Sequence, residues 1–187
     1  MDTSVNRTRT LDMVYIALST VIIAICSWIT IPSVVPFTLQ TFAIFLVVAS
    51  LGGKRGTAAV LLYILMGFIG IPVFAGFKAG PGILLGTTGG YLIGFLFTAL
   101  IMWGFEKFLG KKLWVLAISM VLGLAACYVF GTAWFMLVYM KSTGAVGLST
   151  VLGWCVIPFL IPDGIKITLA LLISGQLRKA RVLTFVS

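Results

Sequence analysis

Apolar residues fall into six runs along the chain, each bounded by a short break rich in glycine, proline or charge. A helix needs ~20 mostly apolar residues to cross the hydrocarbon core of a bilayer, and most of these runs approach that length. The first covers about 11–29 and stops at the turn-prone IPSVVP. The second, about 39–51, is short for a crossing, so the preceding VPFTLQ is expected to lie at membrane depth already. GGKR then turns the chain into the third run, about 57–69. A glycine- and proline-rich loop leads to the fourth, 89–108. The fifth, about 113–139, is long enough to tilt or to project beyond the bilayer. The sixth, about 152–177, is interrupted by Pro158 and Pro162.

Composition makes lipid the solvent. Of 187 residues, 61% are hydrophobic and only 9% charged, with a mean hydropathy of +1.21. Ordinary globular domains carry about 25% charged residues, and a soluble domain of this composition could not cover its surface with polar groups. The expected fold is an all-α integral membrane protein of six transmembrane helices, forming a single domain over residues 1–187. Arg7 and Arg9 ahead of MVYIALSTVIIAIC resemble the front of a secretory signal. Ile25 before Cys26 is a poor lipoprotein cleavage context, however, and this run is read as an uncleaved first span.

Charge placement sets the orientation. Arg7, Arg9, Lys54, Arg55, Lys107, Lys111, Lys112, Arg178, Lys179 and Arg181 all fall on one side of a six-span chain, against Lys78 and Lys141 on the other. Basic residues beside short loops stay cytoplasmic, so both termini are expected to face the cytoplasm. The net charge of +9 is accounted for by this topology. Nucleic-acid binding needs a basic face on a water-exposed domain, and none is predicted. Cys26, Cys127 and Cys155 lie in apolar runs without CxxC spacing and are read as packing residues. No metal and no cofactor are expected.

Two loops on the external side stand out. Between the third and fourth runs, GIPVFAGFKAGPGILLGTTGGY carries seven glycines and two prolines between Gly70 and Gly90. It lacks GxxxxGK[ST], as does the rest of the chain, so ATP hydrolysis by this polypeptide is not expected. Its apolar members Pro72, Val73, Phe74, Ile83, Leu84 and Leu85 predict a loop that folds back as a lid. Gly90 and Gly94 form a small-xxx-small pair suited to close helix contact. In VPFTLQ, Thr38 and Gln40 offer hydrogen-bonding side chains at the start of a span, where Thr38 suits either a helix cap or a binding role. Irregular backbone at membrane depth is tolerated where protein or a water-filled cavity satisfies it, and two such loops on one side predict a shared cavity.

The sixth run contains FLIPDGIKITLALL, with Asp163 and Lys166 inside an apolar stretch. Intramembrane ions cost ~3 kcal/mol each on insertion scales and usually face a cavity or a substrate path. Pro162 favours the first turn of a helix, which predicts Asp163 near a helix N-terminus, and Lys166 lies three residues on, on the same face. The pair could simply stabilise a helix start, or it could hold a ligand. An ionised Asp163 only accepts hydrogen bonds and Lys166 only donates, so an amide or urea would suit the first and a carboxylate the second. Tyr91, Trp134 and Tyr139 could supply apolar walls with polar tips.

VPFTLQ, GIPVFAG, GTTGGYLIGF and PDGIK, in this order and spacing, resemble the BioY family, the biotin-specific S components of energy-coupling-factor (ECF) transporters. The resemblance runs from the first span to the last. It implies the S-component fold, biotin as the captured substrate, and a partner module of a transmembrane coupling subunit and two ATPase subunits. It also implies a ligand site drawn from Thr38, Gln40, Gly89, Gly90, Tyr91, Asp163 and Lys166, with Tyr139 as a further candidate. Asp163 would accept from the ureido N–H groups. Lys166 would pair with the valerate carboxylate or hold Asp163 ionised. The chain departs from the family pattern at Phe77 and Lys78, which follow Gly76 where FAGG is common, and at Thr87, where proline is usual. S components carry an Ala-xxx-Ala docking face on the first helix, and Ala17, Val21 and Ala24 are the corresponding candidates here. With no His and no carboxylate pair within one run, an intramembrane enzyme is not expected. An S component for another small vitamin and a partner-independent secondary transporter remain as alternatives.

Overall fold

The computed structural model describes residues 3–179, and Arg181 lies outside them. Among these residues there are eight α-helices: α1 (Thr3–Trp28), α2 (Gln40–Leu51), α3 (Gly53–Phe68), α4 (Pro81–Leu85), α5 (Gly89–Leu109), α6 (Leu113–Ser142), α7 (Leu148–Cys155) and α8 (Ile157–Lys179). A two-stranded antiparallel hairpin, β1 (Thr30–Ile31) and β2 (Phe37–Thr38), joins α1 to α2. A one-turn 3-10 helix over Ala75–Phe77 lies in the loop after α3.

Each of the six apolar runs forms helix. Four helical segments are long and apolar enough to cross a membrane, namely Arg9–Trp28, Gly89–Leu109, Leu113–Ser142 and Leu148–Leu177. The other two, α2 and α3, have 12 and 16 residues, which at 1.5 Å per residue rise about 18 and 24 Å against a core of about 30 Å. The shortness of α2 matters most. It starts beside a cavity and ends at the GGKR turn, so the hairpin before it reaches into the bundle to meet it. The hairpin satisfies its own backbone there, pairing Thr30 with Thr38 and Ile31 with Phe37, while Leu39 N donates to Ile29 O.

In the sixth run the break falls at Val156, between α7 and α8, and Pro162 lies inside α8. This corrects the expectation that Pro162 opens a helix. Pro158, second residue of α8, takes the first-turn position where a missing N–H costs nothing, and Asp163 is the seventh residue. Asp163 therefore does not sit at a helix N-terminus.

The helices α5 and α6 share the most extensive interface, and reciprocal glycines bring them together. A Cβ on Gly94 would meet Cys127 Sγ at 2.7 Å, and one on Gly90 would meet Trp134 Cβ at 2.3 Å. In the other direction, Gly131 of α6 receives the Tyr91 ring at 2.3 Å and Gly123 receives Thr98 at 2.9 Å. Close approach of this kind replaces the hydrophobic drive that lipid removes. The opposite wall is α8, whose buried stripe Phe159, Asp163, Lys166, Ile167, Ala170 and Ser174 follows helical spacing and packs on α2.

At the end of the bundle away from the hairpin, Asp12, Lys54, Arg55, Glu106 and Lys111 line a common recess. Arg55 pairs with Asp12 at 2.9 Å, and Glu106 accepts from Gly53 N at the start of α3. Basic residues distant in sequence thus gather at one end.

Candidate functional site

A cavity of about 320 Å³ lies between the hairpin, the loop after α3, and helices α2, α5, α6 and α8. The loop after α3 does fold back over it. Phe74 is 1% exposed, with its ring in the notch left by Gly67 and edge-on to Tyr63 at 5.6 Å. Gly80 N donates to Gly67 O at 2.7 Å. Ser27 Oγ donates to Val73 O, and Trp28 Nε1 donates to Pro72 O at 3.0 Å while its indole stacks on Phe77 at 4.9 Å. From this anchored base, Phe74, Ala75, Lys78, Ile83, Thr87 and Thr88 line the cavity.

Asp163 and Lys166 lie on the floor, 1% and 5% exposed. Lys166 Nζ donates to Asp163 Oδ1 at 2.7 Å, to Thr38 O at 2.7 Å and to Thr41 Oγ1 at 3.0 Å. The ammonium also sits 4.3 Å from the centroid of the Phe37 ring. An ammonium has three hydrogens, and all are used. Lys166 therefore holds Asp163 in place, and each of its three hydrogens has an acceptor within the protein. Asp163 Oδ1 also accepts from Thr41 Oγ1 at 3.0 Å, and Oδ2 accepts from the Tyr128 hydroxyl. A carboxylate offers about four acceptor positions. Three are filled, and one is left on Oδ2 beside the cavity.

Other expected residues are placed in two groups. Thr38, Gln40 and Tyr91 line the cavity together with Asp163 and Lys166. Leu39 is the N-cap residue of α2, but Thr38 Oγ1 accepts from Gln40 N at 3.2 Å, and the Thr38 carbonyl is the acceptor that steadies Lys166. Gln40 Nε2 donates to Tyr63 OH at 2.6 Å, and Tyr91 OH bonds Thr132 Oγ1 at 3.1 Å. Gly89, Gly90 and Tyr139 do not line it. A Cβ on Gly89 would lie 1.8 Å from Leu84 O, so Gly89 lets the preceding segment approach the start of α5, while Gly90 makes room for Trp134 of α6. Trp134 Nε1 donates to Gly86 O at 2.9 Å and fastens that segment. Tyr139 instead packs between Phe135 at 5.5 Å and Trp154 at 5.9 Å.

The sequence pattern did not single out Thr41, Tyr128 and Phe37, although all three act on the ion pair. Thr41 lies one residue beyond the quoted VPFTLQ. Tyr128 lies in the middle of an apolar run, where a lone tyrosine mid-span was the available signal.

On α1, Ala17 is exposed and Val21 is 50% exposed, whereas Ala24 is 4% exposed. Ala24 therefore does not belong to the outward face expected of it. The segment 72–77 folds over that end of α1, held by Ser27 and Trp28.

Known proteins share this architecture. The biotin transporter BioY of Thermotoga maritima is 39% identical over 164 residues, which cover 87% of this chain and 93% of that protein. The biotin transporter BioY2 of Lactococcus lactis subsp. cremoris is 42% identical over 131 residues, covering 69% and 71%. The crystal structure of the S-component for biotin from an ECF-type ABC transporter superposes with a TM-score of 0.82 at 30% identity, over 93% of this chain and 94% of that one. Residues 1–182 match the BioY family. With the family match running over residues 1–182 and a relative 39% identical over 87% of its length, this chain belongs to the BioY family.

Proposed function

We propose that this multi-pass membrane protein captures biotin as the substrate-specific S component of an ECF-type transporter, and performs no catalysis of its own. The observation that carries the reading is the open acceptor position on Asp163. Asp163 lines the cavity and its Oδ2 has capacity for one donor beyond Tyr128, and a urea N–H is a neutral donor that fills it without adding charge. Gln40 uses one amide hydrogen on Tyr63 and has a second to offer a urea oxygen. The apolar body of the ligand would lie against Phe74, Leu92, Phe95 and Phe159, all of which line the cavity.

The gathering of Lys54, Arg55 and Lys111 at the far end of the bundle supports a cytoplasmic placement for that end and an external placement for the cavity. Transport then requires energy from elsewhere. A partner module of a transmembrane coupling subunit and two ATPase subunits fits the outward apolar face of α1, where Val14, Leu18, Val21 and Ile25 are 47%, 56%, 50% and 47% exposed. Co-purification of the chain with such a module, and its loss in Val21→Glu, tests that assignment.

Calorimetric titration of the detergent-solubilised chain with biotin, thiamine and riboflavin tests the substrate. Saturable binding of biotin alone is the expected result. Binding of another vitamin in its place, by folded protein, would reassign the site.

A further inference from the structure

We propose that Lys78 is the residue that recognises the ligand's carboxylate, so that the cavity selects a urea-bearing monoanion over its neutral analogues. The inference rests on the biotin reading and deepens it. Lys166 cannot play this part, because its three hydrogens are spent on Asp163, Thr38 O and Thr41. Together, Asp163 and Lys166 are neutral, and among the described residues lining the cavity Lys78 is the only other charged one. It gives the site a net charge of +1, which complements a monoanionic ligand.

The placement of Lys78 suits a contact made at the mouth. It is exposed, and its side chain has no hydrogen-bond or ion-pair partner among the described residues. Its backbone, in contrast, is anchored. Lys78 O accepts from Phe74 N at 3.0 Å across an antiparallel bridge, and Phe74 is buried in the core. A fixed Cα carrying a flexible four-carbon stem lets the ammonium close over a carboxylate that arrives last, after the head of the ligand has reached Asp163. This contact would divide recognition between two ends of the ligand. Asp163 reads the urea, and Lys78 reads the charge.

The test compares biotin with biotinamide, which keeps the ring system and lacks the charge, on wild type, Lys78→Met and Lys78→Arg. A charge pair at a partly open mouth is expected to contribute about three- to tenfold in affinity. Lys78→Met should therefore weaken biotin by that factor and leave biotinamide unchanged, while Lys78→Arg keeps most of the preference. The wild-type preference should also shrink as salt is raised. Equal weakening of both ligands in Lys78→Met, or no change for biotin, would overturn the role of Lys78 and leave biotin capture standing. If folded wild type bound neither ligand, the biotin reading would fall and this inference with it.

Discussion

Tyr128, in the middle of α6, donates its hydroxyl hydrogen to Oδ2 of Asp163 on α8, a contact that spans 35 positions of sequence. It holds the carboxylate by the oxygen that Lys166 does not bond, and Asp163 lines the cavity. Two substitutions separate holding from binding. Asp163→Asn removes the charged acceptor, and since a charged hydrogen bond in a buried site is worth about 2–5 kcal/mol, biotin affinity should fall at least tenfold. Tyr128→Phe leaves the acceptor present but less well held, and its loss of affinity should be smaller. Calorimetry on both variants checks the order, and a larger effect from Tyr128→Phe would show that the phenol itself contacts the ligand.

Lys166 and Asp163 should behave as a unit in stability as well. Removing one member of a buried ion pair leaves the other uncompensated, at a cost of about 3–5 kcal/mol. Lys166→Met is thus expected to lower the thermal unfolding midpoint in detergent sharply. The double variant Asp163→Leu with Lys166→Met should recover much of that stability and bind no biotin. Failure of the double variant to recover would mean that Thr38 and Thr41 need the ammonium for their own placement.

The contact between Gly94 and Cys127 gives a packing test. A methyl group at Gly94 would sit 2.7 Å from Cys127 Sγ, and overpacking of this kind costs about 1–3 kcal/mol. Gly94→Ala should therefore lower the unfolding midpoint, and Cys127→Ala in the same chain should restore part of it. Gly104, which has open space at its Cβ position, serves as the control, since Gly104→Ala relieves helix entropy without a clash.

Trp28 clasps the folded-back loop to α1 through its stack on Phe77 and its hydrogen bond to Pro72 O. Phe77 has a φ of +59°, a conformation uncommon for residues other than glycine, so the stack holds a backbone that would otherwise relax. Trp28→Ala should loosen the loop and speed biotin dissociation several-fold with a smaller change in association. Trp28→Phe, which keeps a ring and loses the N–H, should fall between. Stopped-flow displacement of bound biotin measures both, and unchanged dissociation in Trp28→Ala would show that the loop is held by Phe74 and Gly67 alone.

Much of this protein was legible along the chain, and the physical reasons are local. Long apolar runs demand lipid, so the helices α1, α5 and α6 could be placed from composition and length. The charges of Asp163 and Lys166 are too costly inside a bilayer to be incidental, and apolar residues in the loop after α3 required it to fold back. What depended on contact between distant segments was not legible. The spacing of three residues put Asp163 and Lys166 on one helix face, but not the fact that Thr38 O and Thr41 consume the remaining hydrogens of Lys166. Helical phase placed Ala24 with Ala17, yet Ala24 is buried and Ala17 is exposed. Proline preference placed a helix start at Pro162, while the fold starts α8 earlier and uses Pro158 in the first turn. The sequence by itself determined the solvent, the helices and the costly ions, because each follows from the free energy of a segment in lipid. Only the tertiary structure decided which hydrogen-bonding positions were already filled within the protein, because satisfaction of a buried polar group depends on all its neighbours at once.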